Sequence, residues 1–336
     1  MSGGSDSAKP NADTLERLAK RYTAFADETR GQSEIYERLA LAIAAAPEVL
    51  AFIAGLPADR RQPNLFLAAV RHLHGVPENA EQLVEIVRQD NRRIADLMLS
   101  RTTQTNEPAR CSVLLPLLAR LPQPLALLEV GASAGLCLLP DRYGYDYGAR
   151  RIEPPVSMGK RAPVFHCTVG GAVPLPDRHP SIVWRRGLDL NPIDLRSADE
   201  TAWLETLVWP GQDARIEGLR AAMEIARRDP PQVIRGNLLT DLEPVMATAP
   251  KDATLVVFHT AVLAYVPSPE DRERFAATVR MGNAVWISNE APSVFPSRAG
   301  SALAASASGR FLLMRDGTPT AWAGPHGQSL DWIGSP

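Results

Sequence analysis

The sequence predicts an α/β chain in which a mostly parallel sheet follows an all-helical stretch, and three observations predict it. First, Leu125–Val130 is an apolar run short enough for a buried strand. It breaks into the small residues Gly131-Ala132-Ser133-Ala134-Gly135 before a second apolar run ends at Pro140. Second, further strand-like segments follow at 182–190, 233–239, 254–260 and 284–290, with a helical pattern at 198–229, and 254–260 is continuous and apolar as a covered parallel strand should be. Third, nothing before Leu125 reads as a strand, whereas helical periodicity and prolines fill residues 15–121.

Composition bounds the function. A chain of 336 residues with 45% hydrophobic content can bury one large core or two smaller ones, and two domains are expected. A net charge of −2 and a pI near 6.3 leave no global basic field to recruit phosphates, which argues against general nucleic-acid binding and against anionic membranes. The three cysteines, Cys111, Cys137 and Cys167, are too few and too scattered for a disulfide framework or a cysteine metal site. The polar start lacks the apolar core of a signal peptide, and no apolar stretch reaches membrane-spanning length. A cytoplasmic protein without a metal centre is expected.

Residues 1–14 are small and polar and are expected to form a disordered tail. A helical cap domain is then expected over 15–121. Its helices run from Leu15 to about Gly31, from Ser33 (a ready N-cap) to Ala46 with Ile35, Leu39 and Ile43 on one face, from Asn64, from Ala80 to Leu97, and from Glu107 to Leu121. Polar clusters stand where helices begin, at Arg61-Gln62-Pro63-Asn64 and Thr102–Arg110. Capping is one account of them; reaching a neighbouring cleft is the other.

The sheet domain is expected over 122–336. Strand Leu125–Val130, the small-residue turn and a following helix would leave backbone amides open to a polar or anionic ligand, with a nucleotide-like molecule as natural occupant. An insertion at about 141–180 reads as a hairpin, Asp141–Gly148 against Val164–Val169, with its tyrosines on a solvated edge. His166 and Cys167 are neighbours in a strand, point to opposite faces and form no dyad. The second core strand, Ile182–Leu190, ends beside Asp189, which takes the place of the ribose-binding acid of a dinucleotide fold; Asp194 is the rival. Trp203, Leu204, Leu207 and Trp209 mark core faces of the helical stretch 198–229. The next three strands end in polar residues: Asn237, then His259-Thr260, then Ser288-Asn289-Glu290. Ligand crevices of open parallel sheets lie at such carboxyl ends. A hairpin turning at Asp316-Gly317 closes the chain, after a mobile loop or poor helix over Ser297–Gly309.

Gly131-Ala132-Ser133-Ala134-Gly135 matches the G-x-S-x-G nucleophile elbow of hydrolases, and misses the nicotinamide spacing. It also reads as Glu129-x-Gly131-x-Ser133-x-Gly135, which resembles the first motif of class I S-adenosylmethionine (SAM) methyltransferases with Ser133 replacing the middle glycine. An elbow needs earlier strands for its oxyanion hole and has no use for Glu129. Over nearly its whole length the chain is similar to a bacterial family catalogued only as a domain of unknown function, which pairs a helical N-terminal part with a methyltransferase-like domain. Glu129–Tyr147, Thr105–Arg110, Arg61–Asn64, Gly187–Leu195 and His326-Gly327 carry that likeness.

The resemblance implies a Rossmann-like, mostly parallel sheet of the class I methyltransferase type with an N-terminal all-α cap, and methyl transfer from SAM, leaving S-adenosylhomocysteine, to a small or medium acceptor. Glu129, Gly131, Ala132, Ser133 and Gly135 would then meet the amino-acid end of the cofactor, Asp189 the ribose and Asn237 the adenine, with Asn106 and Arg110 completing the cofactor side. Arg61, Asn64 and Asn289 would face the substrate, and His259 and Glu290 would position or deprotonate it. Two alternatives stay open: a SAM- or nucleotide-binding module without turnover, and a serine hydrolase using Ser133, Asp241 and His259 or His326.

Overall fold

The computed structural model describes residues 11–158, 161–300 and 309–333. The expected tail therefore lies outside the described residues up to position 10, as does the expected loop over 301–308. Two compact units emerge: one made of residues up to Thr105 together with Ala198–Ile216, the other of Asn106–Ser197 together with Glu217 onward.

The first unit is helical, with helices Ala12–Thr29, Glu34–Ala44, Pro47–Ala54, Pro63–His74 and Ala80–Ser100. Their starts follow from local chemistry. Asn11, Ser33 and Asn79 each accept a backbone N–H with the side chain, and Pro47 and Pro63 stand at first-turn positions where no N–H is needed. Leu39, Ile43, Leu65 and Phe66 are fully or almost fully buried in its core. The excursion Ala198–Ile216 joins this core through Trp203 and Leu207, and Trp203 Nε1 donates to Thr102 O at 3.0 Å. The aromatic face seen in the sequence is thus core, but core of the helical unit.

The second unit is built on strands β1 (Leu125–Val130), β2 (Gly144–Asp146), β3 (Arg151–Ile152), β4 (Val164–His166), β5 (Thr168–Gly170), β6 (Ile182–Asp189), β7 (Gln232–Arg235), β8 (Thr254–Thr260), β9 (Val285–Glu290), β10 (Phe311–Arg315), β11 (Thr318–Ala323) and β12 (Ser329–Trp332). Nine form one sheet in the order β5-β12-β11-β10-β9-β8-β1-β6-β7. The neighbours from β7 through β6, β1 and β8 to β9 are parallel, whereas β10, β11 and β12 each run antiparallel to the strand before them. The chain winds from β1 outward through β6 to β7, then returns to β8 on the other side of β1. That reversal makes this a Rossmann-like α/β sheet, with its topological switch point between β1 and β8. One face is sealed by helices Leu242–Met246 and Pro269–Met281, whose Leu242, Phe275 and Val279 pack with Leu128, Val257 and Trp286.

Three expectations are corrected. The run after the small-residue turn makes no α-helix: a single 3-10 turn, Leu136–Leu138, precedes Pro140. Fully buried and tied down by Asn106 and by the phenol of Tyr143, which donates to Leu136 O, this run serves as core. The insertion is no hairpin, because β2 pairs antiparallel with β3 but parallel with β4 in a separate three-stranded sheet. Nor do its tyrosines lie on a solvated edge. Tyr143, Tyr145 and Tyr147 are buried, and each hydroxyl donates to a backbone carbonyl, of Leu136, Pro140 and Ser112. At the chain's end, Asp316 and Gly317 both have positive φ (52° and 80°), as a two-residue hairpin loop requires.

Candidate functional site at the carboxyl edge of the sheet

Glu129, the last but one residue of β1, is 2% exposed, and its Oε2 has no hydrogen-bond partner within the protein. Burial pushes its acid well above the ordinary carboxylate range, Cys137 and Asp189 add to the rise, and Arg110 opposes it. The parallel register pairs Glu129 with Phe258, and Thr260 with Asn289. Alternation along the strands therefore sets Glu129, Thr260 and Asn289 on one face of the sheet. Arg110 reaches the same face: its Nη1 donates to Thr260 O at 3.2 Å and Oγ1 at 3.3 Å, and its Nε to Pro325 O at 2.8 Å. Asn289 is fully buried, yet neither its amide nitrogen nor its amide oxygen has a partner.

His259, Ser288 and Glu290 occupy the opposite face, with Trp286. His259 is fully buried; its Nδ1 lies 2.8 Å from Glu290 Oε1, and Trp286 Nε1–H donates to its Nε2 at 3.0 Å. Because the indole can only donate, the imidazole proton sits on Nδ1 and points at the carboxylate. The two residues expected to handle an acceptor are thus brought together, but both nitrogens of His259 are engaged within the core. Glu290 Oε1 also accepts the backbone N–H groups of Val262 (2.9 Å) and Leu263 (3.1 Å). Its Oε2 and the Ser288 hydroxyl are buried without partners.

The small-residue turn is tightly built. Gly131, Ser133 and Gly135 all have positive φ, 72°, 54° and 74°. At Gly131 a Cβ would lie 2.3 Å from Val262 Cγ2, so glycine is required there twice, for backbone and for space. At Gly187 in β6 a Cβ would lie 2.6 Å from that of Ala132, and the bare backbone lets strand and turn close together. Four of the five amides of the turn, and that of Leu136 after it, are already engaged within the protein, contrary to the sequence expectation. Gly131 N and Ala132 N donate to Leu188 O, Ser133 N to Asp189 Oδ2 at 2.8 Å, Gly135 N to Ala132 O, and Leu136 N to Asn106 Oδ1 at 2.9 Å. The helix whose first turn would have offered free amides is missing, so nearby acceptors take them up.

The remaining expected residues have local duties. Asp189 Oδ1 accepts from Asn191 N at 2.7 Å while its Oδ2 holds the turn, and Asp194 is paired with Arg196. Asn237 stands two residues beyond the end of β7; its Oδ1 accepts from Leu239 N, and Asp241 Oδ2 accepts from Asn237 N. In the helical unit, Arg61 Nε donates to Leu56 O at 2.7 Å and Asn64 Oδ1 accepts from Trp209 Nε1 at 3.0 Å. Ser133 Oγ is buried without a hydrogen-bond partner, so no imidazole is set to take its proton and no hydrolytic triad is assembled around it. Val262, which fills the space over Gly131, carries no local sequence signal, because its role arises only when β8 returns beside β1.

A groove of about 690 Å³ elsewhere, lined among others by Met246, Lys251, Leu255 and Met281, lies near the amino end of β8. Its lining contains none of the described buried polar atoms that lack partners. Among the described residues no group of three or more His, Cys, Asp or Glu side chains could hold a metal ion, and no helix is long and apolar enough to cross a membrane.

Residues 19–332 match a family model described as an uncharacterized protein conserved in bacteria (DUF2332). No curated protein and no solved structure matches the chain.

Proposed function

The chain belongs to the DUF2332 family of bacteria, and from that premise we propose that its second unit is a class I methyltransferase-like domain. It binds SAM at the carboxyl edge of β1 and transfers the methyl group to a small or medium acceptor. One observation carries the proposal. The strand ends beside the switch point hold buried polar side chains left unpartnered by the protein, Glu129 Oε2 and both amide atoms of Asn289, on the face that Arg110 also reaches. Each such group costs roughly 1–3 kcal/mol unless a ligand or water hydrogen-bonds it, and switch points are where open α/β sheets take their ligands.

The chemistry asked of the protein is modest. Methyl transfer needs an aligned donor and acceptor, and a base only where the nucleophile carries a proton. Glu129, with Arg110 beside it, would meet the charged amino-acid end of SAM, and Asn289 would offer one donor and one acceptor to the acceptor molecule. A second reading, SAM or nucleotide binding without turnover, is favoured by the engagement of both His259 nitrogens, which leaves that imidazole unable to serve as a base.

Isothermal titration calorimetry of the full chain with SAM, S-adenosylhomocysteine, ATP and NADH tests the proposal. Saturable binding of the first two, lost in Glu129→Ala, supports it; no binding of either sinks it. Methyl transfer to a panel of small nucleophiles then separates enzyme from binding module.

A further inference from the structure

The segment that follows β8 stands over the small-residue turn. Val262 Cγ2, Cβ and Cγ1 lie 2.3, 2.7 and 3.1 Å from where a Cβ on Gly131 would be, so this side chain fills the space that glycine leaves. Just before it, Ala261 has φ 56°, a left-handed conformation that is costly for a residue with a Cβ, while its N–H is held by Asn289 O at 3.1 Å. Just after it, a 3-10 turn, Leu263–Tyr265, presents Tyr265 to solvent at 65% exposure. The segment is tied down from below by one carboxylate oxygen. Glu290 Oε1 accepts from Val262 N and Leu263 N, and His259, fixed by Trp286, fills a third position on that oxygen.

We propose that residues 261–263 form a gate over the turn: Glu290 is its anchor, and Val262 is the side chain that must move aside before a ligand can approach Gly131. Glu290 is then a positioning residue acting through the backbone of Val262 and Leu263, in place of the acceptor-side base its sequence position suggested. The strained Ala261 makes the closed arrangement easier to leave, because opening relaxes its backbone. Val262 sets how close a ligand comes and, through the fraction of open molecules, how tightly it binds. The ligand arm of this proposal rests on the SAM reading above; the anchor does not.

Two measurements on the full chain decide it. In calorimetry with S-adenosylhomocysteine, Val262→Ala should bind about tenfold more tightly than wild type, since less of the binding free energy goes into clearing the turn. Wild-type or weaker affinity in the folded variant overturns the gate. Amide hydrogen exchange needs no ligand: Glu290→Gln, which keeps the shape but weakens the acceptor, should speed exchange over 261–266 while β1 keeps its protection. Unchanged exchange there overturns the anchor. If S-adenosylhomocysteine binds neither wild type nor Val262→Ala, the SAM reading fails, and the exchange result alone stands for or against the gate.

Discussion

Asp189 Oδ2 accepts the backbone N–H of Ser133 at 2.8 Å, joining the end of β6 to the small-residue turn that follows β1. Ser133 holds φ 54°, and Ile193 N donates to its carbonyl at 3.1 Å, so residues at and just beyond the end of β6 clamp the strained residue from both of its peptide groups.

Asp189→Ala should therefore lower stability as well as any ligand affinity. Charge-assisted bonds from two backbone donors, Ser133 N and Asn191 N, are lost together, at roughly 1.5–3 kcal/mol for a hydrogen bond to a charged group. Urea unfolding followed by circular dichroism measures this. An unchanged midpoint would mean that the turn keeps its shape without the acid.

Gly131→Val should unfold or strongly destabilise the chain rather than simply silence a site. Its Cβ would lie 2.3 Å from Val262 Cγ2 at a residue with φ 72°. Overpacking costs typically about 1–3 kcal/mol, and a left-handed backbone about 1–2 kcal/mol more. A melting temperature equal to wild type would show that Val262 yields freely.

Glu129→Gln should stabilise the ligand-free protein at neutral pH. Burial, with Cys137 and Asp189, raises the folded-state pKa of Glu129 well above its ordinary value of 4.5, so between those two values the native state binds more protons than the unfolded one. Stability from this group is then fully present below pH 4.5 and is lost as pH rises toward the folded-state pKa. The glutamine variant has no such loss. Melting curves across pH should show the two proteins alike in acid and the variant ahead at pH 7; parallel curves would contradict the shift.

Asn289→Leu separates structure from ligand recognition. Neither amide atom of this fully buried side chain is partnered, so an apolar residue of similar size should leave the free protein as stable or raise it by about 1–3 kcal/mol. Thermal stabilisation by S-adenosylhomocysteine should persist in the same variant, because Asn289 faces the acceptor, whereas methyl transfer to the acceptor should fall at least tenfold. A destabilised free protein would show that the amide is satisfied by water and has a structural task.

The parallel core was legible because its signals are local. β1, β8 and β9 are covered strands, and each is marked in the sequence by a run of three or more apolar residues, Leu125–Leu128, Leu255–Phe258 and Val285–Ile287, that gives way to polar residues near the strand's carboxyl end. The run after Gly135 misled for the same reason: apolar residues ending at a proline look alike whether they form a helix or a single buried turn, and the contacts deciding it come from Asn106 and Tyr143. Asp189 and Glu129 were found by their places at strand ends. His259 and Glu290 were also found so, but only the register of β8 against β9 shows that they face each other on the side away from Glu129 and Asn289. Trp203 was legible as core, whereas its membership in the helical unit was not, because a chain excursion leaves no mark on helical periodicity.

The nine-stranded sheet ends at β5 on one side and β7 on the other, strands of three and four residues. Unpaired edges are templates for neighbouring chains, and short edge strands are one way proteins deny them a foothold. Here the insertion after β1 supplies β5, which pairs along Ser329–Asp331 and covers the outer edge of the last strand, where Leu330 is buried. The segment that interrupts the α/β pattern near its beginning thereby replaces the edge its last strand would present with a strand of only three residues.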